Sequence, residues 1–271
     1  MGNYLYTNFK PRYVKIRDFT LYLNPKDRVL SDILIKNHIW ESFETKIFLK
    51  TVKNGNVVLD IGANVGYYTL IASKKVGKKG KVYAFEPDED NFRILEKNVQ
   101  VNKCNNVVLV KKAVADKTGQ INLYLNPVNT GDHRIYKSIE VREILRIQSV
   151  KLDDYFKGKE NSIDVIKMDI QGAEGKAIAG MEEIFKKNSR LEIITEFWPM
   201  GLYLSGIKPH KFLDRLEKYR YRFYMLSDKD KWLQEVSKRY LLAHYENAEN
   251  KYSVADESKY ANLLCLKRVY P

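Results

Sequence analysis

Val57-Val58-Leu59-Asp60-Ile61-Gly62-Ala63-Asn64-Val65-Gly66-Tyr67-Tyr68-Thr69, followed by Val82-Tyr83-Ala84-Phe85-Glu86-Pro87, reads as a buried strand, a glycine turn that opens a helix, and a second buried strand. The first apolar run ends in an acid, and the second ends in Glu86, 26 residues after Asp60. In an open parallel sheet, ligands bind beyond the carboxyl ends of the strands, where a glycine turn lets them approach the backbone. Gly62 and Gly66 are the close-approach positions, and Asn64 tolerates a left-handed backbone. A carboxylate at Glu86 can accept hydrogen bonds from two ribose hydroxyls. The stretch therefore predicts a site for adenosine or a similar nucleoside.

The acid at position 60 narrows the choice of cofactor. A dinucleotide fingerprint reads Gly-x-Gly-x-x-Gly, whose free amides hold a pyrophosphate. Here Asp60 stands two positions before Gly62, where a fixed negative charge would repel phosphate. It suits a phosphate-free cationic ligand such as S-adenosyl-L-methionine, whose ammonium and sulfonium it attracts. An NAD-dependent oxidoreductase fits the strand pattern but not Asp60.

Composition sets the outer limits. The 271 residues are 44% hydrophobic with no apolar run long enough to span a bilayer, which predicts a soluble α/β protein with one good core. No secretory leader is visible from Met1 to Arg12, and Cys104 and Cys265 are too few for a disulfide framework, so the expected location is the cytoplasm. The charge of +13 makes a nucleic-acid, phosphorylated-sugar or lipid-headgroup partner conceivable, but the lysines are scattered along loops and helix ends, which favours a solvated surface.

Along the chain, strands and helices alternate. Arg12 to Leu23 reads as a strand and Asp32 to Lys50 as a helix, giving residues 1–50 as a short N-terminal extension packed on a core domain of residues 51–271. In the core, Asp88 is placed to cap a helix running to Asn102, Val107 to Val110 is a third strand, and Ile163 to Asp169 and Leu191 to Glu196 are strands that end in acids. Gly172 to Lys187 is a helix with a break at Gly180, and Asn262 to Lys267 a final strand, antiparallel to the rest. Lys229 to Tyr260 reads as a polar insertion. The whole predicts a doubly wound, Rossmann-like sheet.

Asp60-Ile-Gly-Ala-Asn-Val-Gly-Tyr-Tyr-Thr, Phe85-Glu86-Pro87, Ile166-Lys167-Met168-Asp169-Ile170-Gln171-Gly172-Ala173-Glu174 and the upstream Ile39-Trp40-Glu41 resemble the FkbM family of S-adenosylmethionine-dependent methyltransferases over about Leu30 to Pro199. The resemblance implies the seven-stranded class I methyltransferase sheet and O-methylation of a hydroxyl, on a sugar, a glycan or a small secondary metabolite. It also implies that Asp60, Gly62, Asn64 and Gly66 hold the amino-acid part of the cofactor, that Glu86 holds its ribose, and that Glu41 approaches it. A residue near Asp116 meets the adenine amino group in related folds. The chain departs from the family at Gln171, where a glutamate is common, so any role that needs a carboxylate there is lost.

Methyl transfer to oxygen needs the acceptor held in line with the methyl group and its proton removed. Three residues are candidates for base or aligner: Asp169 and Glu196 at strand ends, and His133 in the loop Asn129-Thr130-Gly131-Asp132-His133-Arg134, where Asp132 and Arg134 could tune its charge or grip an anionic acceptor. No His, Cys or acid pair has metal-ligand spacing, so no metal is expected. A nucleic-acid methyltransferase remains an alternative on charge, though the chain lacks an Asn-Pro-Pro-Tyr-like motif. A non-catalytic nucleoside-binding protein remains an alternative on Gln171.

Overall fold

The computed structural model describes residues 10–137, 140–160, 162–227, 229–245 and 260–267. Its centre is an eight-stranded sheet: β3 (Val57–Ile61), β4 (Lys81–Phe85), β5 (Val107–Val110), β9 (Val165–Met168), β10 (Glu192–Phe197), β11 (Tyr221–Ser227), β12 (Trp232–Val236) and β13 (Ala261–Lys267). Their order across the sheet is β12-β11-β13-β10-β9-β3-β4-β5. The run β5-β4-β3-β9-β10 is parallel, and β13 is antiparallel to both of its neighbours. From β3 the chain winds outward to β4 and β5, then returns to β9 on the other side. Strand order therefore reverses between β3 and β9, which is where a doubly wound sheet opens a crevice for a ligand.

Seven of these strands form the expected class I sheet; the eighth is β12, antiparallel to β11 at the edge. It falls, with the helix Lys238–Tyr245, in the segment read from sequence as a polar insertion, whose residues 246–259 lie outside the described residues. The N-terminal strand and helix are also each divided. β1 (Tyr13–Ile16) and β2 (Phe19–Tyr22) form a hairpin about Arg17, whose φ is 53°. The single expected helix becomes α1 (Leu30–Asn37) and α2 (Ser42–Thr51), because His38 and Glu41 have φ of 54° and 40°. No glycine or proline announces either break. A three-stranded sheet of β6 (Ala113–Val114), β7 (Gly119–Leu125) and β8 (Glu143–Val150) stands apart from the central one.

Both faces of the central sheet are buried, which is why its strands read as continuous apolar runs. Leu59, Ile61, Ile166 and Met168 join one core with α6 (Glu174–Ala179), α7 (Glu182–Lys187) and α9 (Pro209–Lys218). Val58, Val82 and Val165 join the other with α3 (Tyr67–Val76), Phe48 of α2 and Leu21 of β2. The hairpin is also fastened to α4 (Glu89–Val101): the Tyr22 amide donates to Asn98 Oδ1 at 2.7 Å and Asn98 Nδ2 returns a bond to the Tyr22 carbonyl at 3.0 Å. Asp88 caps α4 as expected, accepting the Asn91 amide at 2.9 Å. Among the described residues no helix is long and apolar enough to cross a membrane.

Candidate active site

The turn after β3 is built by backbone hydrogen bonds before any side chain takes part. The amides of Gly62 and Ala63 both donate to the Phe85 carbonyl at 3.0 Å, so the ends of β3 and β4 are locked together. Gly62 has a φ of 84° and Asn64 of 50°, the left-handed geometry that was expected of Asn64. Glu86 then accepts the Asn64 amide on Oε2 at 2.8 Å and the Asp88 amide on Oε1 at 2.9 Å. A carboxylate oxygen has two acceptor positions, so each oxygen keeps one for a ligand hydroxyl. Burial, with Asp88 and Asp60 nearby, pushes the Glu86 carboxyl up to about 8.

Two recesses meet at this turn. The first is lined by Phe85, Glu86, Lys112, Val114 and His133. The second is lined by Trp40, Asp60, Tyr67, Tyr68, Lys167 and Gln171. Gly62, Asn64, Gly131 and Asp169 line both, so a single elongated ligand can run from one to the other. A Cβ on Gly62 would stand 2.1 Å from the Asp169 carbonyl oxygen, at the crevice where β3 and β9 part.

The polar groups in and behind the second recess form a charged cluster, in which the sequence reading missed Lys167 and Glu44. Lys167 Nζ lies 2.9 Å from Glu44 Oε1 and 3.8 Å from Asp169 Oδ2. The Tyr68 hydroxyl donates toward Glu44 at 3.1 Å and Glu41 at 3.3 Å, and Asn262 Nδ2 donates to Glu41 at 3.3 Å. Burial and then Glu44 hold the Glu41 carboxyl well above the usual carboxylate range. Glu196 is raised likewise by burial and then by Asp169, and its Oε2 meets no hydrogen-bond partner among the described residues. Burial works against the Lys167 charge, but Glu44, Asp169 and Glu41 outweigh it and hold the ammonium above the ordinary lysine value. The available signal was a lone cation in the otherwise apolar strand Val165-Ile166-Lys167-Met168, all four of whose residues are buried.

Asp60 is 2% exposed, takes a 2.5 Å hydrogen bond from Thr69 Oγ1, and is pushed by burial from 3.8 up to about 6. A raised folded-state pKa means stability that is complete below the unfolded value and is lost as pH rises through the folded one. The ionised carboxylate thus costs about 3 kcal/mol above neutrality, two pKa units at 1.36 kcal/mol each. Asp60→Asn, which still accepts from Thr69, is expected to raise the melting temperature of the ligand-free protein by roughly 5 °C at a pH of about 8 and by less at about 5. Scanning calorimetry at the two pH values checks this, and a lower melting temperature at the alkaline value would remove the assignment.

Not every residue expected at the site is there. Asp116 is exposed and lines neither recess. The Ala115 amide pairs with the Val150 carbonyl, and the chain turns outward after it, leaving Lys112, Ala113 and Val114 against the first recess. Gly66 sits behind the turn, where a Cβ would meet Leu95 at 2.6 Å. Asp132 and Arg134 are buried and paired within their own loop, Arg134 Nε donating to Asp132 Oδ1 and Arg142 to Oδ2, each at 2.6 Å. They brace the loop instead of presenting charge to an acceptor. His133 lines the first recess, beside Glu86, and its Nδ1 accepts the Asn126 amide at 3.0 Å. Neutral imidazole has one lone pair, and here a backbone amide already uses it, so His133 is a poor proton acceptor in this arrangement. Among the described residues no group of three or more His, Cys, Asp or Glu could hold a metal ion.

The donor set fits S-adenosyl-L-methionine: carboxylate lone pairs for a ribose at Glu86, a glycine cradle at Gly62, and opposed charges at Asp60 and Lys167 for an amino-acid end. The profile of the methyltransferase FkbM domain matches residues 60–223. Among curated relatives, a probable cobalt-precorrin-6B C(15)-methyltransferase (decarboxylating) of Sulfurisphaera tokodaii is 28% identical over 52% of this chain and 68% of its own length. The hexuronic acid methyltransferase AglP of Haloferax volcanii is 25% identical over 50% of the chain and 54% of its own length. The 2-O-methyltransferase NoeI of Sinorhizobium fredii is 28% identical over 60% and 72%. A solved structure of M. jannaschii TYW2 in complex with AdoMet aligns over 95% of this chain and 86% of its own, at 16% identity and a TM-score of 0.47. The chain belongs to the FkbM family of methyltransferases, and its cofactor is S-adenosyl-L-methionine.

Proposed function

We propose that the protein methylates a hydroxyl group on a sugar, a glycan or a small secondary metabolite, with Asp169 as the base or aligner. The observation that carries this reading is the position of Asp169. Of the three residues considered for proton removal it alone lines both recesses, whereas Glu196 lines neither and His133 only the first. Its carboxylate is held on both sides: Gln171 Nε2 donates to Oδ1 at 2.8 Å, and Lys167 stands 3.8 Å from Oδ2. The glutamate common in the family at position 171 would face Asp169 with a like charge, whereas the amide here orients it.

When bound, the cofactor supplies an electrophilic methyl group on a sulfonium. The chain's part is to hold the acceptor hydroxyl against Asp169 and to take its proton as negative charge develops on the oxygen, a contribution of about 10² to 10⁴-fold. The names of AglP and NoeI support a sugar and an oxygen acceptor respectively, while the precorrin relatives are named for methylation at carbon.

A screen with tritiated methyl donor over glycans, lipids and RNA tests the proposal, with label expected on a hydroxyl oxygen of a glycan or small metabolite. With a net charge of +13, some RNA affinity is expected, but it should collapse with modest salt through counterion release. Label on RNA bases at physiological salt, or on a carbon atom, overturns the reading.

A further inference from the structure

Lys167 carries a charge into the middle of a sheet strand and is only 3% exposed. Such a burial is tolerated when the ammonium is paired, and Glu44, itself 2% exposed, supplies the pair at 2.9 Å. An ammonium nevertheless has three donors. Asp169 at 3.8 Å lies beyond hydrogen-bond distance, and the Tyr68 ring, 4.9 Å away, presents its face and no oxygen lone pair. The lysine thus lines the second recess with donor capacity beyond what Glu44 uses.

The remaining charges of that recess are carboxylates. Asp60 and Asp169 line it, and Glu41 and Glu44 lie behind the Tyr68 hydroxyl. Acids alone would attract the ammonium of an amino acid and repel its carboxylate. With Lys167 among them, the recess holds both signs and complements a zwitterion. Glu86 assigns the ribose to the first recess, and the shared lining at Gly62 and Asn64 lets the same ligand continue into the second. We infer that Lys167 binds the α-carboxylate at the amino-acid end of S-adenosyl-L-methionine, while Asp60 faces its ammonium. Sequence reading assigned the amino-acid end to Asp60, Gly62, Asn64 and Gly66 and did not include Lys167, because the lysine belongs to a strand far along the chain.

The alternative is that Lys167 only neutralises Glu44 within the core. Titration calorimetry separates the two by comparing S-adenosyl-L-methionine with its decarboxylated analogue, which keeps the sulfonium, the adenosine and the amine. The wild-type protein should prefer the carboxylated ligand by about 10- to 100-fold, the scale of one charged hydrogen bond. In Lys167→Met that preference should shrink to below about threefold, while affinity for the decarboxylated ligand stays within about threefold of wild type. If the single variant does not fold, Glu44→Gln/Lys167→Met removes the stranded carboxylate as well, and the same ratio is read. A wild-type protein that binds both ligands equally, or a variant that weakens both in parallel, overturns the inference. Because the readout is binding, the result does not depend on which acceptor the enzyme uses.

Discussion

Asp169→Asn is expected to lower turnover by about 10² to 10⁴-fold while cofactor affinity stays within a few-fold of wild type. The substitution keeps the shape of the side chain and, through the remaining carbonyl oxygen, the hydrogen bond from Gln171. It removes the charge that the proposed reaction uses to accept the proton. Lys167 is not stranded, because Glu44 remains 2.9 Å from it, so the fold should lose no more than about 1 kcal/mol. The measurement is kcat on the acceptor found by the methyl-transfer screen, beside titration of S-adenosylhomocysteine. His133→Ala provides the contrast. Its side chain lines the first recess with Glu86, so its loss should weaken cofactor binding more than it slows turnover at saturation. Near-normal turnover in Asp169→Asn, with a large loss in Glu196→Gln or His133→Ala, would move the role to that residue.

What could be read from sequence follows from how local each cause is. Asp88 announced the start of α4 and Gly180 the gap between α6 and α7, because a cap and a breaker act within a few residues of themselves. The crevice at Gly62 and Glu86 was legible for a related reason: an apolar run that ends in a charged residue and a glycine marks a strand end whatever lies beside it. Long-range pairing was not legible. Lys167 finds Glu44 on a helix that precedes the whole sheet, and nothing in the strand around the lysine points to that partner. The tautomer of His133 is set by the amide of Asn126, a geometric accident of the loop, so a residue whose ordinary chemistry suits a base proves to have its lone pair in use. β12 escaped notice because it is an edge strand: Leu233, Gln234 and Glu235 are all exposed, and no alternation of apolar residues marks it. In each case the deciding contact is absent from the window in which the residue is read.

Gly62→Ala is expected to destabilise the protein by about 2 to 4 kcal/mol and to abolish the rise in melting temperature that the cofactor produces. Two costs add: a left-handed backbone is unfavourable for alanine, and the added methyl forces overpacking. Gly55 allows them to be separated, because it has the same φ of +84° with nothing within 4 Å of a Cβ. Gly55→Ala should therefore lose only the backbone part, about 1 kcal/mol. At Gly62 the methyl would meet the Asp169 carbonyl at 2.1 Å and Ile170 Cγ2 at 3.0 Å, and the first of these is backbone that cannot rotate away. Nor can either strand end retreat easily, since the Asp169 amide is bonded to the Ile61 carbonyl at 3.0 Å and the Gly62 amide to Phe85 at 3.0 Å. Relief must come from parting β3 and β9 at the crevice, which displaces Asp169 and narrows the passage between the two recesses. Thermal melts of both variants with and without S-adenosylhomocysteine measure the two effects together, since a ligand that binds only the folded state raises its melting temperature by mass action. Gly55→Ala should keep the ligand-induced rise. Equal losses in the two variants, or a normal rise in Gly62→Ala, would show that close approach at Gly62 does not shape the cofactor site.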